Sequence, residues 1–151
     1  AIAEIVAALA PPISATLSVW ITAALLVAAG RLVLASGRLP RPWPHLPALV
    51  LPKVLLSIAA AALAGSFLGG FPGLAMRTIF AAIAAAYALQ GLALAHALTA
   101  GQPGRFAILA TLYGVSILFG GWPLIIAALG GVADALFNIR VRRGLAAPAG
   151  A

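Results

Sequence analysis

Apolar residues occur in long runs separated by short polar or proline-rich interruptions, and one run carries several polar side chains of its own. Residues 76–98, MRTIFAAIAAAYALQGLALAHAL, are 23 positions, about 34 Å as a helix, against about 30 Å for the hydrocarbon core of a bilayer. This run predicts a central membrane-crossing helix. At about 100° per residue, Met76, Phe80, Ile83, Tyr87, Gln90 and Leu94 share one face, while Thr78, Ala81, Ala85, Ala88, Leu92 and His96 lie roughly opposite. The first face is bulky and partly polar and the second mostly small. Neither suits lipid alone, so other helices are expected around it.

The remaining runs supply candidates. Residues 1–10 are too short to cross, but Ile2, Ile5, Val6 and Leu9 make one apolar face, predicting an interfacial helix within 1–12 that ends at Pro11 and Pro12. Residues 13–35 predict a first crossing with Ser14, Ser18 and Thr22 on one face. Such hydroxyls bond their own backbone or a neighbouring helix more readily than they line a hydrophilic pathway. Between 36 and 52 the segment SGRLPRPWPHLP predicts an extended loop at the membrane surface. Trp43 beside arginines reads there as a headgroup-level anchor rather than part of an SH3 ligand. Pro52 suits the first turn of a helix over 53–69, in which Gly65 and Gly69 form a GxxxG motif for close packing, and Gly69 to Gly73 make a turn.

The last apolar region, 106–136, has 31 residues, about 46 Å and too long for one crossing. GGWP at Gly120 to Pro123 divides it into a short helix over 105–119 and a second over 123–140. Charge favours this division. With five crossings, Arg31, Arg38, Arg41, Lys53, Arg105, Arg140, Arg142 and Arg143 share one side and only Arg77 lies on the other; four crossings split them five against four. The expected fold is an all-α, polytopic transmembrane helix bundle of about five spans, the last two forming a short-helix hairpin. It is one transmembrane domain over 1–151, with loop 36–52 and tail 141–151 in the cytoplasm and the bundle in a bacterial inner membrane. A start at Ala1 followed by Glu4, without a basic region, predicts a fragment of a longer chain rather than a signal peptide.

Composition agrees. Hydrophobic residues make up 64% and charged residues 7%, and mean hydropathy is +1.17, as in polytopic membrane proteins. The net charge of +7 comes from residues at the ends of apolar runs, without a basic stripe and interleaved aromatics, which argues against nucleic acid as a partner. Absence of cysteine removes disulfides and thiolate chemistry. HExxH, GxSxG and Walker motifs are missing, and Asp134 is the one carboxylate within a predicted span, so a non-enzymatic protein with no cofactor and no metal site is expected.

Asp134 is the only acid besides Glu4, on a small and polar stripe with Ala127, Gly130, Gly131 and Asn138. An unpaired carboxylate there is costly, so it should face the bundle, with His96 or Arg105 the nearest partners by depth. It is either a proton or ligand site or a structural ion pair fixing helix orientation. Tyr87 and Gln90, one turn apart near mid-membrane, either line a solute pocket or make an interhelical hydrogen bond. Arg77 reads as a snorkelling helix-end residue. Gly65, Gly69, Ala81, Ala85, Ala88, Gly130 and Gly131 are the candidate helix-packing positions.

The loop SGRLPRPWPHLP, the segment QGLALAHAL from Gln90 to Leu98, Tyr113 and the ending GGVADALFNIRVRR together resemble the C-terminal half of the YybS-like family of predicted bacterial membrane proteins of unknown function. The resemblance implies a missing N-terminal half with further spans. That family is loosely similar to the substrate-binding subunits of energy-coupling-factor importers, which implies a compact bundle with a small-solute site. The helix motif by which those subunits dock on their transport partner is not identifiable here. The expected function is solute binding or transport by the Tyr87, Gln90 and Asp134 region. The alternative is an accessory or scaffolding subunit whose partners are the lipid bilayer and other membrane proteins.

Overall fold

The computed structural model describes residues 2–38, 49–119 and 121–145. These contain six helices and no strand: α1 (Ile2–Ala35), α2 (Val54–Gly65), α3 (Gly70–Leu98), α4 (Arg105–Leu118), α5 (Trp122–Phe137) and α6 (Ile139–Arg142). The chain divides into two compact units, Ala1–His45 with Ile58–Ala85, and Leu46–Ser57 with Ala86–Ala151, so that α2 and α3 contribute residues to both.

Among the described residues the expected five spans are not present: α1, with 34 residues, and α3, with 29, are the two helices there that are long and apolar enough to cross a membrane. The helices α2, α4 and α5 have 12, 14 and 16 residues, about 18 to 24 Å at 1.5 Å per residue and short of a hydrocarbon core of about 30 Å. Their ends explain this. Past Gly65 the chain turns instead of carrying α2 on to Gly69, and Asn138 stops α5 before Arg140. The topology argued from charge counted five crossings and loses its premise. Most of the proline-rich loop, residues 39–48 with Trp43, lies outside the described residues, as do Gly120 and 146–151.

In the first unit α1 runs unbroken through Pro11 and Pro12, where the sequence predicts a helix end. Each proline removes one intrahelical hydrogen bond, but the surrounding residues favour helix, and side chains add local bonds. Ser14 Oγ donates to Ala10 O (2.6 Å) and Thr16 Oγ1 to Pro12 O (3.0 Å). No residue of α1 is buried. At the end of α2, Ser66 N–H donates to Ala62 O (2.9 Å) and Leu68 N–H to Gly65 O (3.0 Å), and Gly70, at φ 66°, opens α3. The turn is so tight that a Cβ on Gly73 would run into the Leu68 carbonyl. Gly65 faces Met76, whose Cγ would lie 2.6 Å from an added Cβ, whereas Gly69 faces open space. The close contact of this motif is therefore glycine against a flexible side chain. Ala62 and Ala85 are the buried apolar side chains here.

The second unit holds most of the core: Tyr87, Ala88, Leu92, Leu94 and Ala97 of α3, with Ala135 of α5. Here α3 and α5 meet backbone to backbone. A Cβ on Gly91 would overlap the Ala127 carbonyl, and one on Gly131 the Tyr87 carbonyl. Ala127 and Gly131 on one helix, Tyr87 and Gly91 on the other, are each four residues apart, the spacing of small-residue crossings in membrane bundles. Gly130 points to open space and Ala81 is only half-buried. The break between α4 and α5 falls at the expected GGWP. Gly121, at φ 89°, donates its N–H to Ser116 O (2.9 Å), and Pro123 sits in the first turn of α5.

This crossing makes a specific demand. Gly91→Ala and Gly131→Ala should each lower the melting temperature in mild detergent, equivalent to about 1 to 3 kcal/mol of overpacking against a backbone that cannot move aside. Gly130→Ala should leave stability unchanged or raise it by up to about 1 kcal/mol through helix propensity. Equal melting temperatures for Gly130→Ala and Gly131→Ala would show that the helices do not cross here.

Candidate functional site

The polar groups of the second unit are gathered where α3, α5 and α6 converge. Gln90, on the inner face of α3, has no exposed surface, and Asp134 and Arg140 are 4% and 2% exposed. Asn138 makes the convergence possible. It adopts the left-handed conformation, φ 50° and ψ 50°, which asparagine tolerates better than most residues. Its N–H donates to Asp134 O (2.9 Å) and closes α5. Beyond this corner α6 changes direction, and the Arg140 N–H donates to Asp134 Oδ1 (3.2 Å).

The side chains complete a closed network. Arg140 Nε and Asp134 Oδ2 form an ion pair at 3.0 Å. Gln90 Nε2 donates to the same carboxylate oxygen (3.1 Å), its Oε1 accepts the Leu51 N–H (2.9 Å), and its main-chain carbonyl accepts from Arg140 Nη2 (3.0 Å). The amide orientation is dictated by its partners, since only the NH2 end can donate to a carboxylate and only the oxygen can accept an N–H. Tyr87, one turn before Gln90, directs its hydroxyl at Pro52 O over a long 3.5 Å. Burial pushes the Arg140 guanidinium below its ordinary pKa, and the charge and hydrogen bonding of Asp134 push it back up.

Gln90 therefore meets Asp134, with Tyr87 one turn earlier on α3 turned to Pro52, and Asp134 pairs with neither His96 nor Arg105. His96 bonds Tyr113 of α4, Nε2 to hydroxyl at 2.9 Å, with ring centroids 6.0 Å apart. Arg105 is exposed in the first turn of α4. Asn138, a candidate polar-site residue, is exposed and acts through its backbone. Arg140 and the Leu51 N–H are the members that sequence reasoning missed. Were α5 to continue straight to Arg140, as its expected range requires, residues 134 and 140 would lie about 9 Å apart along the axis and on different faces. The signal available was Asn138, a residue able to break the helix between two opposite charges.

Chemically, the network crosslinks. Two opposite charges with little solvent contact satisfy each other, and the amide ties them to α3 and to the strand of chain at Leu51. Removing one charge leaves the other buried, which typically costs about 3 to 5 kcal/mol. Asp134→Asn and Arg140→Gln should each destabilise strongly, and Asp134→Leu combined with Arg140→Met should recover much of the loss. A double-mutant cycle on thermal stability checks this, and additive effects would refute the pairing.

Comparison with protein-family models, with curated proteins and with solved structures finds no match. The reading of this cluster rests on its geometry.

Proposed function

We propose that this chain is a non-enzymatic, membrane-embedded accessory subunit of a larger assembly in a bacterial cytoplasmic membrane. The observation that carries the proposal is α1, a largely apolar helix of 34 residues, none of them buried. Ile5, Leu9, Ile13, Leu17, Ile21 and Leu25 are all exposed along it, a continuous surface that needs lipid or protein as cover. Outward-facing Ile117 and Leu118 of α4 and Ile126 and Leu129 of α5 extend the demand. The polar residues nominated for a solute are instead engaged within the chain, Gln90 with Leu51 and Asp134, and Tyr87 with Pro52. That favours assembly over solute binding at mid-helix.

A photo-crosslinking residue placed at Leu17 or Leu25 in cells tests the reading, combined with alkaline extraction of the membranes. The chain should stay with the membrane pellet and give one protein adduct of defined mass from α1. Release into the alkaline supernatant would remove the membrane reading. Lipid adducts alone, with a stoichiometric small molecule retained through purification, would replace assembly by solute binding.

A further inference from the structure

The two ends of the α4–α5 pair differ in kind from its middle. The turn entering α4 reads TAGQPGR, with Gln102 and Arg105 exposed, and the chain leaving α5 carries Arg142 and Arg143, also exposed. Between them, residues 106–133 contain no Asp, Glu, Lys, Arg or His, and the connection reads SILFGGWPL. Its large side chains are the uncovered ones: Ile117 and Leu118 are each 81% exposed, Trp122 73% and Ile126 72%. We propose that α4 and α5 form a re-entrant hairpin, which enters the bilayer and leaves it by the same face, with its connecting turn covered by lipid acyl chains. This rests on the membrane reading above and names lipid as the cover for one part of the chain.

Length decides how such a pair can enter. Residues 119–121 join the two helices, which pack on each other. With 14 and 16 residues they measure about 21 and 24 Å, against about 30 Å of hydrocarbon. Neither crosses, so a chain that enters at Arg105 returns to the side it left. Charge agrees with this path. Arginine is costly at mid-membrane and settles at headgroup level, and the exposed arginines stand at the two ends of the pair with none at the turn. Arg140 is held by Asp134. Anionic headgroups complement Arg105, Arg142 and Arg143. Leu98 ends α3 seven positions before Arg105, so the face in question is the one at which α3 emerges.

Backbone chemistry selects acyl chains as the cover. Hydrocarbon offers a polar group no partner, so a reversal of the chain inside it has to satisfy its donors within the protein. Each described N–H from Phe119 to Leu124 is so satisfied. Phe119 donates to Val115 O (2.9 Å), Gly121 to Ser116 O (2.9 Å), Trp122 to Phe119 O (3.4 Å) and Leu124 to Gly121 O (2.9 Å), while Pro123 has no N–H. Nearby side chains are engaged as well. Ser116 Oγ donates to Leu112 O (2.7 Å), and the Tyr113 hydroxyl meets His96 Nε2 (2.9 Å). Against a protein partner the turn needs no such self-sufficiency, since the partner's own polar groups can complete it.

The chain has no cysteine, so single ones report position. Ile117→Cys and Ile126→Cys mark the region of the turn, and Gln102→Cys and Leu145→Cys the open end, each in the full chain. A nitroxide at each site, in nanodiscs of phosphatidylcholine and phosphatidylglycerol, reads collision with oxygen, which concentrates among acyl chains, and with a water-soluble nickel chelate. Nickel collision should be lost at Ile117 and Ile126 while oxygen collision persists, and both should occur at Gln102 and Leu145. In cells, a membrane-impermeant maleimide should reach Gln102→Cys and Leu145→Cys from one and the same side, and Ile117→Cys from neither. Leu118→Cys and Leu129→Cys repeat the measurement should either turn variant fail to fold. Nickel reaching the turn overturns the proposal, because the hairpin then lies in water. Exclusion of both reagents replaces lipid by protein as the cover and overturns it too. Labelling of Ile117→Cys from the side opposite Gln102→Cys would show a pair that crosses, and the re-entrant path would fall. A protein adduct from α1 with a nickel-accessible turn would leave the assembly reading standing without the hairpin. A shielded turn without that adduct would do the reverse. Release of the chain by alkaline extraction would sink both.

Discussion

In a chain with two acids, the ion pair between Asp134 and Arg140 is the constraint on which the second unit depends. Neither charge is tolerable alone at such low exposure, and Arg140 holds the Asp134 carboxylate by both its main-chain N–H and its side chain. Gln90 then extends the pair's reach. Its amide binds the carboxylate on one side and the Leu51 N–H on the other, while its own carbonyl receives the guanidinium. One buried residue of α3 thereby fixes α5, α6 and the chain approaching α2. A hydrophobic trio of similar volume would pack about as stably, but it would not select this register, because apolar contacts lack direction.

The network also requires the helices to come close enough for short side chains to meet. Gly91 and Gly131 provide this, since any side chain at either position would hold the α3 and α5 backbones apart. Gln90 and Asp134 are each within one turn of that crossing. The glycines set the distance, and the polar groups fix the rotation about it. Small-residue packing alone is weakly directional, whereas a carboxylate that accepts two hydrogen bonds and carries an ion pair is satisfied in few arrangements.

The sequence was most readable where local chemistry and tertiary context agree. The apolar run to Leu98 forms a helix that starts six residues earlier than expected, at Gly70, and the break at GGWP appears because glycine and proline favour it in any surroundings. The reading failed where a local signal was outweighed. Pro11 and Pro12 do not end α1, because the helix is stabilised on both sides and hydroxyl groups bond nearby carbonyls. Span counting failed because summed apolar length says nothing about where a helix turns: Gly65 ends α2 well short of Gly69, and Asn138 ends α5 short of Arg140. Burial of Tyr87, Gln90 and Asp134 was foreseeable from their types in an apolar setting. Their partners were not, since both Arg140 and Leu51 arrive through changes of chain direction.

Around Gln90 the donors and acceptors that meet belong to the chain itself, so the amide, the carboxylate and the guanidinium act first on one another. An outside partner there would have to break contacts between buried groups, each of which costs free energy when left unmade. The exposed Ile and Leu side chains of α1 carry no such internal claim, so their burial has to come from a surface outside the chain, lipid or protein.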